Sequence, residues 1–185
     1  AVKSRRLRQG VWAVVLLGLS GISAATEQIP DRIRIAGQDY VLPAEPLAPV
    51  LNDAATWRRL TNALGPAMGT CTANWRGYMA GWSVREDMLY LESMVAHACR
   101  QPEEPLAIDA LFPGQQGPLA ASWFSGDLAV AQGEPGTNVH MGYSTTYPRY
   151  LLLRVDAGRI TGRHLVTHDE LMRRHDEARA RPRTP

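Results

Sequence analysis

The residue types that carry out catalysis are present, but their spacing matches no familiar catalytic arrangement. Gly142-Tyr143-Ser144 begins like the turn that presents a nucleophilic serine, and His140 lies nearby as a candidate base. The closing glycine of that turn is missing, and no apolar strand precedes it. His164 and His168 straddle a predicted strand–helix junction, so they do not share the helix face that a metal site would need. We therefore predict no catalytic residue, no metal ligand and no cofactor.

Arginine and aromatic residues, which often anchor protein interfaces, are better candidates for function. Arg76, Tyr78 and Trp82 share one face if the surrounding strand alternates strictly. His140 and Tyr143, in a glycine-rich loop, complete the predicted binding residues. An arginine beside two aromatic residues either pairs inside the protein or faces a ligand, and the sequence leaves both alternatives open.

The first three of these residues belong to a predicted β-hairpin between the two cysteines of the chain. Two long antiparallel strands run from Cys71 to Cys99, joined by the polar turn Arg85-Glu86-Asp87. Gly77 and Gly81 leave a trough on the hairpin, filled either by a core side chain or by a partner. We predict a disulfide between the two cysteines, with two buried free thiols as the alternative.

The first 25 residues have the layout of a secretory signal peptide. A basic segment precedes the apolar run Val11–Ile22, which is too short to span a bilayer comfortably. Ser23-Ala24-Ala25 supplies the small residues of a cleavage site, so we predict processing after Ala25. The mature protein is then periplasmic or secreted, without a stable membrane span. A membrane anchor is the alternative, and the export route stays open between the general and twin-arginine pathways.

Removing that peptide changes the charge balance of the chain. The whole sequence has 20 basic and 18 acidic residues, and residues 1–25 contain four basic residues and no acidic one. The mature chain is therefore close to neutral, which does not favour nucleic acid as a partner. Its length of about 160 residues suits a single domain.

The predicted fold class is α+β, predominantly antiparallel β, as a sheet or a partly open barrel. We assign residues 26–185 to one β-rich domain, with a frayed basic tail at about 179–185. Alternating apolar residues predict a hairpin over residues 31–42, and the apolar run at residues 150–155 predicts another strand.

Two helices are predicted, one in the N-terminal half and one at the C-terminus. Asp53 is the expected N-cap of the first, Gly65 its stop signal, and Trp57 its core anchor. Thr167-His168-Asp169-Glu170 is the capping box of the second.

The aromatic motifs resemble those of a group of small bacterial β-rich proteins of unassigned function. The similarity covers about residues 31–160 and implies a bacterial β-rich domain, with no catalytic residue to transfer. Its main elements are Trp75-Arg76-Gly77-Tyr78, Trp82, Leu89-Tyr90-Leu91, Phe112-Pro113, Trp123-Phe124-Ser125-Gly126 and His140-Met141-Gly142-Tyr143.

These observations together predict an exported bacterial protein that acts by binding a macromolecular partner. The expected partner is a protein, either a toxin or an envelope protein, and a periplasmic immunity protein that neutralises a secreted toxin is one such case. Two alternatives remain: an envelope-associated accessory protein that binds cell-wall material, and a small hydrolase with a site built from loops.

Overall fold

The computed structural model describes residues 27–65, 71–96, 103–136 and 145–180. These ranges contain nine strands and four helices. The strands are β1 (Asp31–Ile35), β2 (Gln38–Leu42), β3 (Tyr78–Arg85), β4 (Met88–Ala96), β5 (Glu104–Leu106), β6 (Leu119–Ala120), β7 (Gly126–Gln132), β8 (Arg149–Asp156) and β9 (Arg159–Thr167). The helices are α1 (Ala48–Leu51), α2 (Ala54–Leu64), α3 (Ile108–Leu111) and α4 (His168–Ala180).

All nine strands join one sheet, with the order β2-β1-β3-β4-β9-β8-β7, and β5 and β6 pair with β4. Every pairing is antiparallel except that of β1 with β3, which is parallel. The end strands β2 and β7 come within 8 Å between Cα atoms, yet no ladder joins them in the described residues. The predicted α+β fold class, mainly antiparallel and not closed into a barrel, is confirmed.

The hairpin of β3 and β4 turns where the sequence predicts it, but it begins later. Glu86 and Asp87 both have positive φ, 48° and 56°, as a two-residue turn with right-handed strand twist requires. The first strand starts at Tyr78, so Trp75 and Arg76 lie in the turns before it. The strict alternation expected from residue 70 onward is therefore wrong for these two residues.

The core lies on the inner face of the curved sheet and is covered by the short helices. Ile33, Trp82, Leu91 and Leu153 are buried at this face, one from each of four strands. A smaller cluster on the other face of β8 contains Tyr150, Leu152 and Val166 and is partly covered by Leu171 of α4. The described residues include no helix long and apolar enough to cross a membrane.

Helix α2 has the predicted ends, but Trp57 is not part of its buried face. The Asp53 side chain accepts a hydrogen bond from the Thr56 amide at 2.8 Å, and Gly65 ends the helix with φ of 63°. The buried positions are Thr56, Leu60 and Leu64, four residues apart. Trp57 lies beside this buried row and is 42% exposed, so its assignment as a core anchor was wrong.

Several predictions concern residues outside the described ranges. These are the signal peptide of residues 1–25, Cys99 as the partner of Cys71, the loop residues His140 and Tyr143, and the tail beyond residue 180. They remain predictions.

Candidate functional site

Three of the predicted binding residues meet around a buried carboxylate. Asp31, the first residue of β1, has no exposed surface. Its Oδ1 accepts hydrogen bonds from Arg76 Nη1 at 3.0 Å and from the Ala80 amide at 3.1 Å, and its Oδ2 accepts one from Trp82 Nε1 at 2.9 Å. Both oxygens of the carboxylate are thus bonded to groups that come from the start of the central hairpin.

The Arg76 guanidinium is held from several sides. Nη2 donates to the Ile29 carbonyl at 3.0 Å, and Nε lies 3.7 Å from Glu45 Oε1. The guanidinium carbon is 4.8 Å from the centroid of the Tyr78 ring, a distance typical of a cation–π contact. Only 11% of the Arg76 side chain is exposed. The positive charge of Arg76 is therefore paired inside the protein and is not presented at the surface.

Burial raises the pKa of Asp31, and the neighbouring Arg76 charge and the hydrogen bonds from Trp82, Ala80 and Arg76 oppose that rise. Burial likewise raises the pKa of Tyr78 above its ordinary value. A perturbed carboxyl pKa is often a sign of catalysis. Here the carboxyl group has no exposed surface that a substrate could reach, so the geometry is that of a structural ion pair.

This arrangement corrects the predicted binding surface. Tyr78 and Trp82 are 1% and 2% exposed, because their side chains pack in the core beneath the sheet. Of the two alternatives for Arg76, the structure shows internal pairing. His140 and Tyr143, the other two predicted binding residues, lie outside the described residues.

A different surface feature lies on the outer face of the same strands. A cleft of about 490 Å³ is open to solvent there, and we call it the arginine cleft. In the parallel pairing of β1 with β3, Arg32 is the neighbour of Gly81 and Arg34 is the neighbour of Ser83. Long arginine side chains thus stand beside a floor of small residues. The cleft is lined by Arg32, Ile33, Arg34, Ala36, Gly37, Asp39, Gly81, Trp82, Ser83, Val84, Arg85, Glu92 and Ser93.

A β-bulge in β4 brings a carboxylate into this cleft. Gly81 pairs with Ser93 and Trp82 pairs with Leu91, so Glu92 is the extra residue. Bulges of this kind redirect a side chain out of the regular alternation. The Glu92 carboxylate accepts hydrogen bonds from the Ser83 hydroxyl and from Arg85. The bulge thereby holds Arg85 at the edge of the cleft.

The three arginines of the cleft differ in how they are paired. Arg34 makes a two-pronged ion pair with Asp39, at 2.7 Å and 2.9 Å, which lowers the pKa of that carboxyl. Arg85 is paired with Glu92. Arg32 is exposed, and within the described residues its guanidinium makes neither a hydrogen bond nor an ion pair. With three arginines against two carboxylates, the lining of this cleft carries one more positive than negative charge, and Arg32 also helps to lower the pKa of Asp39.

The glycine at position 81 controls the depth of the cleft. A Cβ atom on Gly81 would lie 2.6 Å from the Ser93 hydroxyl oxygen, which is closer than real Cβ contacts. The Ser93 side chain therefore rests directly on the bare backbone of β3. The trough that the two predicted strand glycines suggested is present at Gly81, on the outer face, whereas Gly77 lies in a turn with φ of 74°.

The arrangement can bind an anionic group. Guanidinium groups match the planar, two-oxygen geometry of a carboxylate. The cleft lining contains no histidine or cysteine, and no group of three or more potential metal ligands occurs in the described part of the chain.

Arg32, Arg34 and Arg85 are not among the binding residues that the sequence predicts. The alternation of arginine and isoleucine from Arg32 to Ile35 was a usable signal, because it places both arginines on the outer face of β1. Their meeting with Arg85 depends on the parallel pairing of β1 and β3, which are separated in the chain by β2, α1 and α2. No local pattern reports such a pairing.

No protein-family model matches the chain, and neither curated proteins nor solved structures show significant similarity to it.

Proposed function

We propose that the protein is an exported bacterial protein that acts by binding a protein partner, with the arginine cleft as the contact surface. The observation that carries this proposal is the unpaired Arg32 beside a floor of small residues on an exposed sheet face. A periplasmic immunity protein that neutralises a toxin is one role that fits such a surface. This contact surface differs from the one predicted around Arg76, whose side chain is buried. It lies on the outer face of β1 and β3.

The composition of the cleft favours association with a protein over chemistry. Arginine is enriched in protein interfaces and is one of the residues that most often dominate the binding free energy. The Ser83 hydroxyl donates to the Glu92 carboxylate, which is also held by Arg85, and the lining contains no histidine. A partner that brings a carboxylate would balance the additional positive charge of the lining.

The test is capture of the partner by matched charge-reversal variants. Wild-type protein, Arg32→Glu and Arg149→Glu are immobilised and exposed to the envelope fraction and culture medium of the source bacterium, and retained proteins are quantified by mass spectrometry. Arg149 is an exposed arginine on β8, remote from the cleft in strand order. We expect a partner that binds the wild type and Arg149→Glu equally and binds Arg32→Glu at least about tenfold less, the size of one lost charge-assisted hydrogen bond.

Two results would contradict the proposal. One is that no protein is retained specifically by the wild type. The other is a specific partner that binds Arg32→Glu as well as it binds the wild type, which would place the contact elsewhere on the protein.

Export makes a separate prediction about the mature chain. Peptide mapping of protein isolated from the periplasm, without reduction, is expected to show an N-terminus at or within two residues of Thr26 and a peptide that links Cys71 to Cys99. A disulfide closing a loop of this length contributes roughly 3–4 kcal/mol in the chain-entropy model. Intact protein in the cytoplasm would reject export, and free thiols in the periplasmic protein would reject the disulfide.

A further inference from the structure

Strand β9 extends beyond the strand that pairs with it on one side. Its pairing with β4 is confined to one position, Met88 with Arg159. The next amide, that of Ile160, donates to the carbonyl of Asp87 in the β3–β4 turn at 2.8 Å. Past that turn, residues 162–167 pair only with β8, and no strand of the described ranges pairs with their other edge. We call residues 162–167 the free edge of β9.

The free edge carries an apolar side chain on the core face of the sheet. Leu165 pairs with Leu151, and Arg163 pairs with Leu153. Because directly paired residues of antiparallel strands share a face, Leu165 lies on the face where Leu151 and Leu153 pack against the core. It is nevertheless 59% exposed. The core face therefore ends at β9 in a leucine that the described part of the chain leaves mostly uncovered.

The free edge lacks the features that usually keep edge strands from pairing. Edge strands of monomeric proteins are commonly protected by lysine, by proline or by charged side chains. Residues 162–167 contain neither lysine nor proline. With histidine neutral, their one formal charge is that of Arg163, and the Asp87 carboxylate lies 2.6 Å from its guanidinium. This edge can therefore accept another strand without an uncompensated charge in the way.

The residue pattern of the free edge is complementary to itself. When two identical strands pair about a two-fold axis, the residue on the axis faces its own counterpart. An axis at Arg163 opposes two arginines, and an axis at His164 places Arg163 opposite Leu165. An axis at Val166 places Leu165 opposite Thr167. An axis at Leu165 pairs the two leucines and places Arg163 opposite Thr167. Of these arrangements, only the one centred on Leu165 covers the leucine with an apolar side chain and opposes no like charges.

We propose that two copies of this chain associate through the free edge of β9, with Leu165 of each copy packed against Leu165 of the other. Strands β7, β8 and β9 of both copies then form one continuous antiparallel sheet. The pairing gives the backbone groups of the edge hydrogen-bond partners and removes the apolar surface of both leucines from water. None of residues 162–167 lines the arginine cleft, so this surface is separate from the one proposed for another protein.

Sedimentation velocity of the purified protein at concentrations up to about 0.1 mM tests the association. We expect a monomer–dimer equilibrium. Leu165→Lys should raise the dissociation constant of the dimer at least about tenfold, because two lysines would then lie directly opposite each other. Trp75→Lys is the matched control and should dimerise like the wild type, since Trp75 is 63% exposed and lies in the turns before β3. Unchanged circular dichroism and melting temperature show that each variant is folded.

Cysteine cross-linking locates the axis. An axis at Leu165 brings the two copies of this residue together, so Leu165→Cys should form a cross-linked dimer rapidly under mild oxidation. Arg163→Cys, which would face Thr167 of the other copy, should cross-link no faster than Trp75→Cys. The wild type, treated in the same way, is the control for the native cysteines.

Three results would overturn the inference. The first is a protein that stays monomeric over the whole concentration range. The second is a dimer that Leu165→Lys does not weaken, or that Arg163→Cys cross-links as fast as Leu165→Cys, because the contact would then lie elsewhere or in another register. The third is a monomer in which Leu165→Lys abolishes the capture of a different protein, because the free edge would then serve that protein and not a second copy.

Discussion

Asp31→Asn is expected to lower the free energy of unfolding by about 3–5 kcal/mol, the range for removing one partner of a buried ion pair. The side chain has no exposed surface, and both of its oxygens accept hydrogen bonds. Asparagine keeps the shape but offers one oxygen and one NH₂ group. Whichever way it turns, a donor then faces either the Trp82 indole or the Arg76 guanidinium. The Arg76 charge also loses its closest counterion.

The matched control for this substitution lies on the same hairpin. Asp39→Asn removes an aspartate that pairs with an arginine in the same two-oxygen manner, but the pair is about 60% exposed on both sides. Solvent screens such pairs, so we expect only a small change in stability. Urea unfolding followed by tryptophan fluorescence measures both variants. If Asp31→Asn is no more destabilising than Asp39→Asn, the buried network does not hold the hairpin in place.

The parts of the fold that follow from short-range chemistry could be predicted from the sequence. Asp53 and Gly65 delimit α2 as expected, because an N-cap and a positive φ are properties of a few adjacent residues. The turn at Glu86 and Asp87 is local in the same sense. Trp57 was wrongly placed in the core, because the side chains of α2 that are covered depend on distant parts of the chain, which bury Leu60 and Leu64 instead.

The candidate site shows where local patterns stop being informative. Asp31 and Trp82 are 51 residues apart in sequence and are joined by a hydrogen bond. Without that contact, an arginine beside aromatic residues is equally consistent with a core pair and with a binding surface. The arginine cleft has the same origin, since Arg32 meets Gly81 only through the parallel register of β1 and β3. Both features are products of topology.

Arg76→Met is expected to destabilise the protein by a similar amount at neutral pH, about 3–5 kcal/mol, and to lose part of that deficit in acid. Methionine retains an apolar chain that can pack on the Tyr78 ring but brings no charge. Asp31 is then a buried carboxylate without its cation, and the pKa of Asp31 rises further because the charge that opposed the effect of burial is gone.

The sign of the pH dependence follows from proton uptake. At neutral pH Asp31 is ionised in the unfolded chain, and the folded variant bears the cost of a buried charge. As pH falls through the raised pKa of the folded state, the folded protein takes up a proton first and gains stability relative to the unfolded chain. The gain is complete below about pH 3.9, where unfolded aspartate is protonated as well.

The measurement is the stability difference between Arg76→Met and wild type, followed by urea unfolding from pH 7 toward pH 4. Taking the difference cancels the carboxylates that titrate alike in both proteins, such as Asp39 and Asp53, whose pKa values are lowered in the folded state. We expect the deficit to shrink with acid. In the Asp31→Asn background, where residue 31 no longer titrates, the deficit caused by Arg76→Met should be independent of pH. The deficit of the double variant should be smaller than the sum of the two single deficits, because the second substitution removes a charge that is already unpaired. A deficit that stays constant with pH in Arg76→Met would show that Arg76 does not neutralise Asp31, and the buried pair would have to be assigned a packing role alone.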